Sequence, residues 1–346
     1  MQVAIKAERE NRQTNVIMGK LKKFVAKESS TVLDPMKPAT ETSHKVLHAR
    51  LDGFEIRQAA LEQSDSLEPS SGVVFQNYIE GCISFVKTNM SYINPSTGSG
   101  SRTARRTMEF GRTYVVRPKG KHQATMVWLH GLGDNGSSSS QLLESLALPN
   151  IKWICPTAPT RPVAILGGFP CTAWFDGEEL SDDNTNDLEG LEVSVAHIAN
   201  LLSTEPADVK LGIGGFSMGA ATALYSATCF AHGKYGNGNP YPVNLRAVIG
   251  LSGWLPGSRN VRNKIEGSHE AARCASSLPI LLCHGKCDEV VPYRYGERAS
   301  YVLSSAGFRN LQFKGYDGIG HYTVPKEMDE VCNWLTARLS LEGSRR

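Results

Sequence analysis

An alcohol, a carboxylate and an imidazole, widely separated in one chain, can cleave an acyl bond if folding brings them together. Ser217, Asp288 and His321 are the candidates. Ser217 lies in Gly215-Phe216-Ser217-Met218-Gly219, a G-x-S-x-G pentapeptide. The apolar run 209–214 precedes it, and the small-residue run Ala220-Ala221-Thr222-Ala223-Leu224 follows. Strand, sharp turn and helix in that order are the context of a nucleophile elbow. Glycines two residues either side of the serine remove side chains that would clash in the crowded turn. The hydroxyl is then held above the strand end, with a helix N-terminus beneath it. Such a pentapeptide also arises by chance, and its plain alternative is a strand-to-helix turn with Ser217 as N-cap.

A serine hydroxyl is a poor nucleophile at neutral pH and needs a base to take its proton. His321 follows an apolar run directly, in the flexible turn Gly318-Ile319-Gly320-His321. Two other histidines compete. His284 closes the run Leu281-Leu282-Cys283 and reads as buried, and His130 opens a glycine loop that suits backbone donors better. Asp288, in His284-Gly285-Lys286-Cys287-Asp288-Glu289-Val290-Val291-Pro292, is the candidate to orient the imidazole. Glu289 and Asp317 are alternatives. The chain order Ser, Asp, His favours Asp288, because it is the order found in α/β-hydrolases. An oxyanion formed during attack needs two donors. The amide of Met218 is one, and His130-Gly131-Leu132-Gly133-Asp134 offers that of Leu132 as the other. Losing one such donor costs about 10²–10³ in rate.

The elements that must position these groups begin after about residue 112. Runs at 125–129, 151–155 and 209–214 read as strands, those at 247–251 and 279–283 as buried strands, and 311–316 as a last strand. Leu188, Leu191, Val195, Ile198 and Leu202 share one helical face behind Asp187 as N-cap, and 295–303 and 327–339 read as helices. Strands alternating with helices predict an α/β fold, a mostly parallel central sheet with helices on both faces. Each candidate residue falls just past a strand end, where such sheets collect function. Residues 1–89 are polar and weakly periodic and read as a largely disordered extension; 90–111 is a Ser/Gly/Arg-rich linker, and 112–341 is the catalytic domain.

Composition narrows the classes. The chain has 346 residues, 40% apolar and 21% charged, with a net charge of +3. That charge is too small to argue for nucleic acid. Arg102, Arg105, Arg106 and Arg112 form a loose basic cluster, read as a solvated segment with at most a weak attraction to anionic lipid. The 8 cysteines include no C-x-x-C pair, so zinc is disfavoured and a reducing, cytoplasmic compartment is expected. No apolar stretch approaches a membrane span, and the first residues lack a secretory h-region. Residues 181–187 resemble a calcium loop but lack its sixth-position glycine, and Val193 stands where the bidentate Glu belongs. Gly212, Gly214 and Gly215 lack the third glycine of a dinucleotide fingerprint. No metal or cofactor is called for.

Several motifs in order give the chain a family likeness. Leu129-His130-Gly131-Leu132-Gly133-Asp134, Trp174-Phe175-Asp176, Gly214 to Gly219, Leu251-Ser252-Gly253-Trp254-Leu255-Pro256, His284-Gly285 with Asp288 and Val291-Pro292, and Gly320-His321 resemble the acyl-protein thioesterase/carboxylesterase family of α/β-hydrolases. Its members are also described as lysophospholipases, and the likeness is strongest to plant forms, over about 112–339. The resemblance implies a serine hydrolase with Ser217, Asp288 and His321 as triad and Leu132 and Met218 as oxyanion donors. It implies an acyl tunnel lined by Val163, Ile165, Leu166, Phe169, Trp174, Trp254 and Leu255, each of which reads equally well as core. Substrates would be S-acylated proteins or small acyl esters, with transient membrane contact at most and a weak homodimer as partner state. Short-chain carboxylesterase or lysophospholipase activity is the runner-up, and a non-catalytic small-molecule receptor on this fold is the alternative of another class. Two features depart from the family. Leu166-Gly167-Gly168-Phe169-Pro170 is glycine-rich where some relatives are bulky, and residues 1–89 have no recognised counterpart.

Overall fold

Apolar runs of five to seven residues stack side by side at the centre of the sheet, where they are buried on both faces under helices, while the edge strand at 311–316 is only half-buried. The computed structural model describes residues 108–166, 168–177 and 187–341. The expectations for 1–89, most of 90–111, Cys82 and the calcium-like residues 181–186 lie outside them, as does the Phe169 side chain.

In chain order the elements are β1 (Tyr114–Val116), β2 (Ala124–Leu129), α1 (Gly136–Glu144), β3 (Ile151–Cys155), β4 (Thr160–Val163), a 3-10 turn (Ala164–Leu166), β5 (Phe169–Thr172), α2 (Leu188–Ser203), β6 (Lys210–Phe216) and α3 (Met218–His232). Then come β7 (Leu245–Leu251), α4 (Val261–Glu266), α5 (His269–Ser277), β8 (Ile280–Gly285), α6 (Tyr293–Ser305), β9 (Leu311–Tyr316) and α7 (Pro325–Arg338). Seven strands form one sheet in the order β1-β3-β2-β6-β7-β8-β9. Only β1 runs antiparallel, pairing Tyr114 with Cys155. The hairpin β4–β5 stands apart, pairing Val163 with Phe169.

Register aligns the carboxyl ends. Leu129 pairs with Gly215, Phe216 with Leu251, and Gly285 with Tyr316. The residues after each strand therefore leave the sheet along one edge. The core behind that edge includes Trp128 set edge-on to Trp153 at 6.0 Å. Fully burying one such large apolar side chain contributes about 1.5–3 kcal/mol. Helix α3 is alanine-rich and buried on nearly every face. Its small side chains let it lie close to β6 and β7.

The structure adds elements the sequence reading did not contain: β1, the β4–β5 hairpin, α1, α4 and α5. Helix α1 is serine-rich and a poor helix former by propensity. Asn135 starts it, its Oδ1 accepting from the amides of Ser137 and Ser138 at 2.9 and 3.1 Å. Asp187 caps α2 as expected, accepting from Gly190. Leu188, assigned to the buried face, is instead 49% exposed, because it sits in the first turn before α2 meets the sheet.

Candidate active site

The elbow is strained. Ser217 has φ 57° and ψ −121°, a left-handed backbone on a residue with a side chain. Such a conformation costs of order 1–3 kcal/mol and persists only when its surroundings force it. Here the Ser217 amide donates to Leu251 O at 2.8 Å, and its carbonyl accepts from Ala221 at 3.1 Å. A side chain at Gly219 would overlap the Leu129 and His130 backbone, and one at Gly215 would meet the Gly219 backbone. Ser217 occupies the N-cap position of α3, yet its hydroxyl makes no capping bond. It lies instead 2.9 Å from His321 Nε2.

His321 Nδ1 is 2.7 Å from Asp288 Oδ2. A proton on Nδ1 is donated to that carboxylate, which leaves the Nε2 lone pair facing the Ser217 hydroxyl. The imidazole rests against the Phe216 ring, centroids 4.8 Å apart. Asp288 is only 5% exposed. Burial alone would raise its pKa, but donors from His284, His321 and the Val291 amide outweigh burial and hold the carboxyl well below the usual range. Its Oδ1 accepts from the amides of Val290 and Val291 at 3.0 and 2.8 Å. The loops bearing the acid and the imidazole are stitched together. Lys286 N donates to Tyr316 O at 2.8 Å, and Cys287 N to Ile319 O at 2.9 Å.

The alternatives fall elsewhere. Asp317 pairs with Lys286 Nζ at 2.9 Å on the exposed rim. His284 is buried behind Asp288. Its Nε2–H donates to Val291 O at 2.7 Å and stands 3.4 Å from Asp288 Oδ2, so the carboxylate receives the weaker branch of a shared donor. His130 is also buried. Its Nε2 accepts from the Ala158 amide at 3.0 Å, so Nδ1 carries the proton and donates to Gly131 O at 2.6 Å. Burial pushes its pKa down, against smaller upward pulls from Gly131 O and Asp134. The ring stays neutral and serves as a peg for the loop that follows.

That loop ends in a second set of ties. Gly133 N donates to Thr172 O at 2.9 Å, Thr172 Oγ1 to Asp134 O at 2.7 Å, and Trp174 Nε1 to His130 O at 2.9 Å. Among the described residues the Leu132 amide has no backbone acceptor. Met218 opens α3, in the turn whose N–H groups lack intrahelical partners. Both amides are therefore free to meet a negative oxygen, beside a hydroxyl with a base and an oriented acid behind it. Such an arrangement can carry acyl transfer.

The residues expected to line a tunnel divide. Val163, Trp174 and Leu255 are wholly buried, and Trp254 nearly so, against Phe175 at 6.0 Å. Ile165 is 37% exposed and Leu166 half-buried on the 3-10 turn. Trp174, as donor to His130, supports the oxyanion loop. A groove of about 380 Å³ beside Arg246 and Arg273 lies at the amino end of β7, away from this chemistry. Cys155, Cys229 and Cys283 form no disulfide, and burial pushes their thiol pKa up to about 12. Two participants were not assigned their roles in advance. Ser252, buried beside the elbow, also has positive φ, 51°. Its place after β7 was a signal, in the motif Leu251 to Pro256. His284 was weighed only as a rival base.

Comparison with known proteins places this geometry in a lineage. The phospholipase/carboxylesterase family matches residues 111–339. The crystal structure of Zea mays acyl-protein thioesterase 2 is 71% identical, with TM-score 0.65, covering 66% of this chain and 99% of that one. Acyl-protein thioesterase 1 of Yarrowia lipolytica is 31% identical over 231 residues, 64% of this chain and 94% of that protein. Acyl-protein thioesterase 1 homolog 1 of Dictyostelium discoideum is 30% identical, covering 66% and 96%. The chain belongs to the phospholipase/carboxylesterase family of α/β-hydrolases and is a serine hydrolase. Among its described residues no helix is long and apolar enough to cross a membrane.

Proposed function

We propose that this family member is an acyl-protein thioesterase, with 112–341 as its catalytic domain and Ser217, Asp288 and His321 as its triad. The observation that carries the reading is the strained Ser217, whose Oγ lies 2.9 Å from the free nitrogen of an imidazole that Asp288 orients from 2.7 Å. Ser217 Oγ attacks the acyl carbonyl as His321 Nε2 takes its proton. The oxyanion is received by the amides of Leu132 and Met218. The C–S bond breaks, His321 returns the proton to the departing thiolate, and an acyl-Ser217 ester remains. Water, deprotonated by His321, attacks that ester and releases the fatty acid and the serine. Asp288 stays ionised throughout and stabilises the imidazolium.

The acyl chain would run past Val163, Ile165, Leu166, Phe169, Trp174, Trp254 and Leu255. The named relatives, all acyl-protein thioesterases, support S-acylated proteins as substrates. We place the enzyme in the cytoplasm, with transient membrane contact where acylated proteins reside and at most a weak homodimer. A short-chain carboxylesterase or lysophospholipase is the second reading, since the glycine-rich stretch 166–170 leaves acyl-chain preference open.

The test is turnover of a palmitoyl-cysteine peptide against acetyl and decanoyl nitrophenyl esters, with wild type and Ser217→Ala. Hydrolysis of the thioester at a kcat/KM at or above that of the acetyl ester is expected. Strong preference for the acetyl ester would favour the second reading. Folded wild type that neither turns over any substrate nor reacts with a fluorophosphonate would make the chain a receptor.

A further inference from the structure

We infer that Asp187, with Arg161 and Asp176, forms a clasp that positions the acyl-facing excursion and thereby sets chain-length preference; this rests on the esterase–thioesterase reading above. The excursion leaves at β4 and returns through β5 to Trp174 and Phe175. Along it lie Val163, Ile165 and Leu166, which the reading assigns to the acyl wall. A loop of this kind has conformational freedom that must be removed before it can present one surface.

Asp187 removes it at the base. Its Oδ2 accepts from Arg161 Nη1 at 2.6 Å, at the start of β4, and from the Asp176 amide at 2.9 Å, beyond the end of β5. Its Oδ1 accepts from Gly190 N at 2.8 Å in the first turn of α2. One carboxylate thus ties both ends of the excursion to a helix anchored in the core. Asp176 extends the tie inward. Its Oδ1 accepts from Ala164 N and Gly177 N, each at 2.8 Å, and Gly177 O accepts from Ile165 N at 3.2 Å. The 3-10 turn bearing Ile165 is therefore held through Asp176 by Asp187. The Arg161–Asp187 pair is mostly buried, with side chains 14% and 23% exposed, so its geometry is firmer than that of a surface pair.

The same excursion also touches the reacting centre, because Thr172 and Trp174 tie it to the oxyanion loop. A loss of fold or of the oxyanion loop would lower turnover of every substrate. Loosening the clasp acts first on the apolar wall, which a long chain needs and an acetyl group does not reach. Asp187 and Arg161 are positioning residues in this sense.

Asp187→Asn isolates the effect. Asparagine caps a helix as well as aspartate does, so the bond to Gly190 survives. The anionic oxygen facing Arg161 and the Asp176 amide is lost. We expect the ratio of kcat/KM for the decanoyl ester to that for the acetyl ester to fall about tenfold, the scale of about one lost methylene contact. Acetyl ester turnover should fall far less. Arg161→Met should lower the ratio in the same way, and it keeps the test alive if the first variant folds poorly. Arg161→Lys, which retains the ion pair, should hold the ratio near wild type. An unchanged ratio, or a parallel fall for both esters, would overturn the clasp. Failure of folded wild type to hydrolyse either ester would overturn the underlying reading instead, and the clasp with it.

Discussion

The two ends of the sheet hold the same three chemical groups and use them in opposite ways. At the carboxyl edge stand Ser217, His321 and Asp288. At the amino end stand Thr125, His122 and Glu205. Thr125 Oγ1 is 2.8 Å from His122 Nε2 and 2.7 Å from Glu205 Oε2. Here the hydroxyl is the middle member. It donates its proton to the carboxylate and so must accept from the imidazole N–H, which leaves no imidazole lone pair facing it, only a weakly basic carboxylate. Thr125 lies wholly buried in a regular strand, and Lys152 Nζ holds Glu205 at 2.6 Å. At the other edge the imidazole is the middle member, the hydroxyl donates to it, and the backbone carrying that hydroxyl is strained. Order along the hydrogen-bond chain, with backbone geometry, separates an acyl-transfer site from a structural staple.

Removing each hydroxyl breaks the comparison most sharply. Ser217→Ala should lower kcat by about 10⁴–10⁶ and abolish fluorophosphonate labelling, with the thermal midpoint equal to or above wild type because strain is relieved. Thr125→Val should do the reverse. Turnover should stay within about twofold, while denaturant unfolding shows a loss of about 1–2 kcal/mol from the under-satisfied Glu205. Comparable activity losses in the two variants would sink the distinction.

Replacing the acid comes next. Asp288→Asn leaves the shape but removes the charge that fixes the His321 tautomer, and kcat should drop about 10⁴-fold. KM should change little, since Asp288 does not reach substrate. A fall of less than about tenfold would point to Asp317 as the orienting acid, although it pairs with Lys286 at 2.9 Å on the rim.

Much of this was legible before folding. The runs at 125–129, 151–155 and 279–283 are apolar and 311–316 alternates apolar with polar residues, each bounded by turn residues, so the strands and their carboxyl edge followed. Ser217, Asp288 and His321 each stood one short loop past such a run. What escaped had weak local signals. Strand β1 has three residues, and the β4–β5 hairpin carries Pro162, Pro170 and Gly168, which read as loop. Helix α1 owes its start to one asparagine cap. The work of His284 depends on which oxygen its proton meets, and that of Asp187 on an arginine 26 residues upstream. Neither is encoded in local spacing.

Two buried carboxylates sharpen the contrast through pH. Burial alone would raise the pKa of Glu205, yet bonds from Lys152 and Thr125 bring it below 4.5. Glu327, in the first turn of α7 near Cys283 and Glu330, has no cation beside it among the described residues. Burial pushes it up from 4.5 to about 7, aided by Glu330 and opposed only by the Val324 amide. The signs therefore differ. Glu205 contributes stability above pH 4.5, lost as pH falls through its depressed folded value. Folded Glu327 holds its proton where the unfolded chain has released it, so its effect is to lower stability as pH rises from 4.5 to about 7. Glu327→Gln keeps an acceptor for Val324 and removes the titration. Relative to wild type it should gain on the order of 2–3 kcal/mol between pH 4 and 8, most of it across that window. Glu205→Gln should instead be less stable than wild type at neutral pH, with the gap closing in acid. Parallel stability curves for wild type and Glu327→Gln would show that the glutamate ionises in the folded protein as it does in water, and that burial at the head of α7 leaves it solvated.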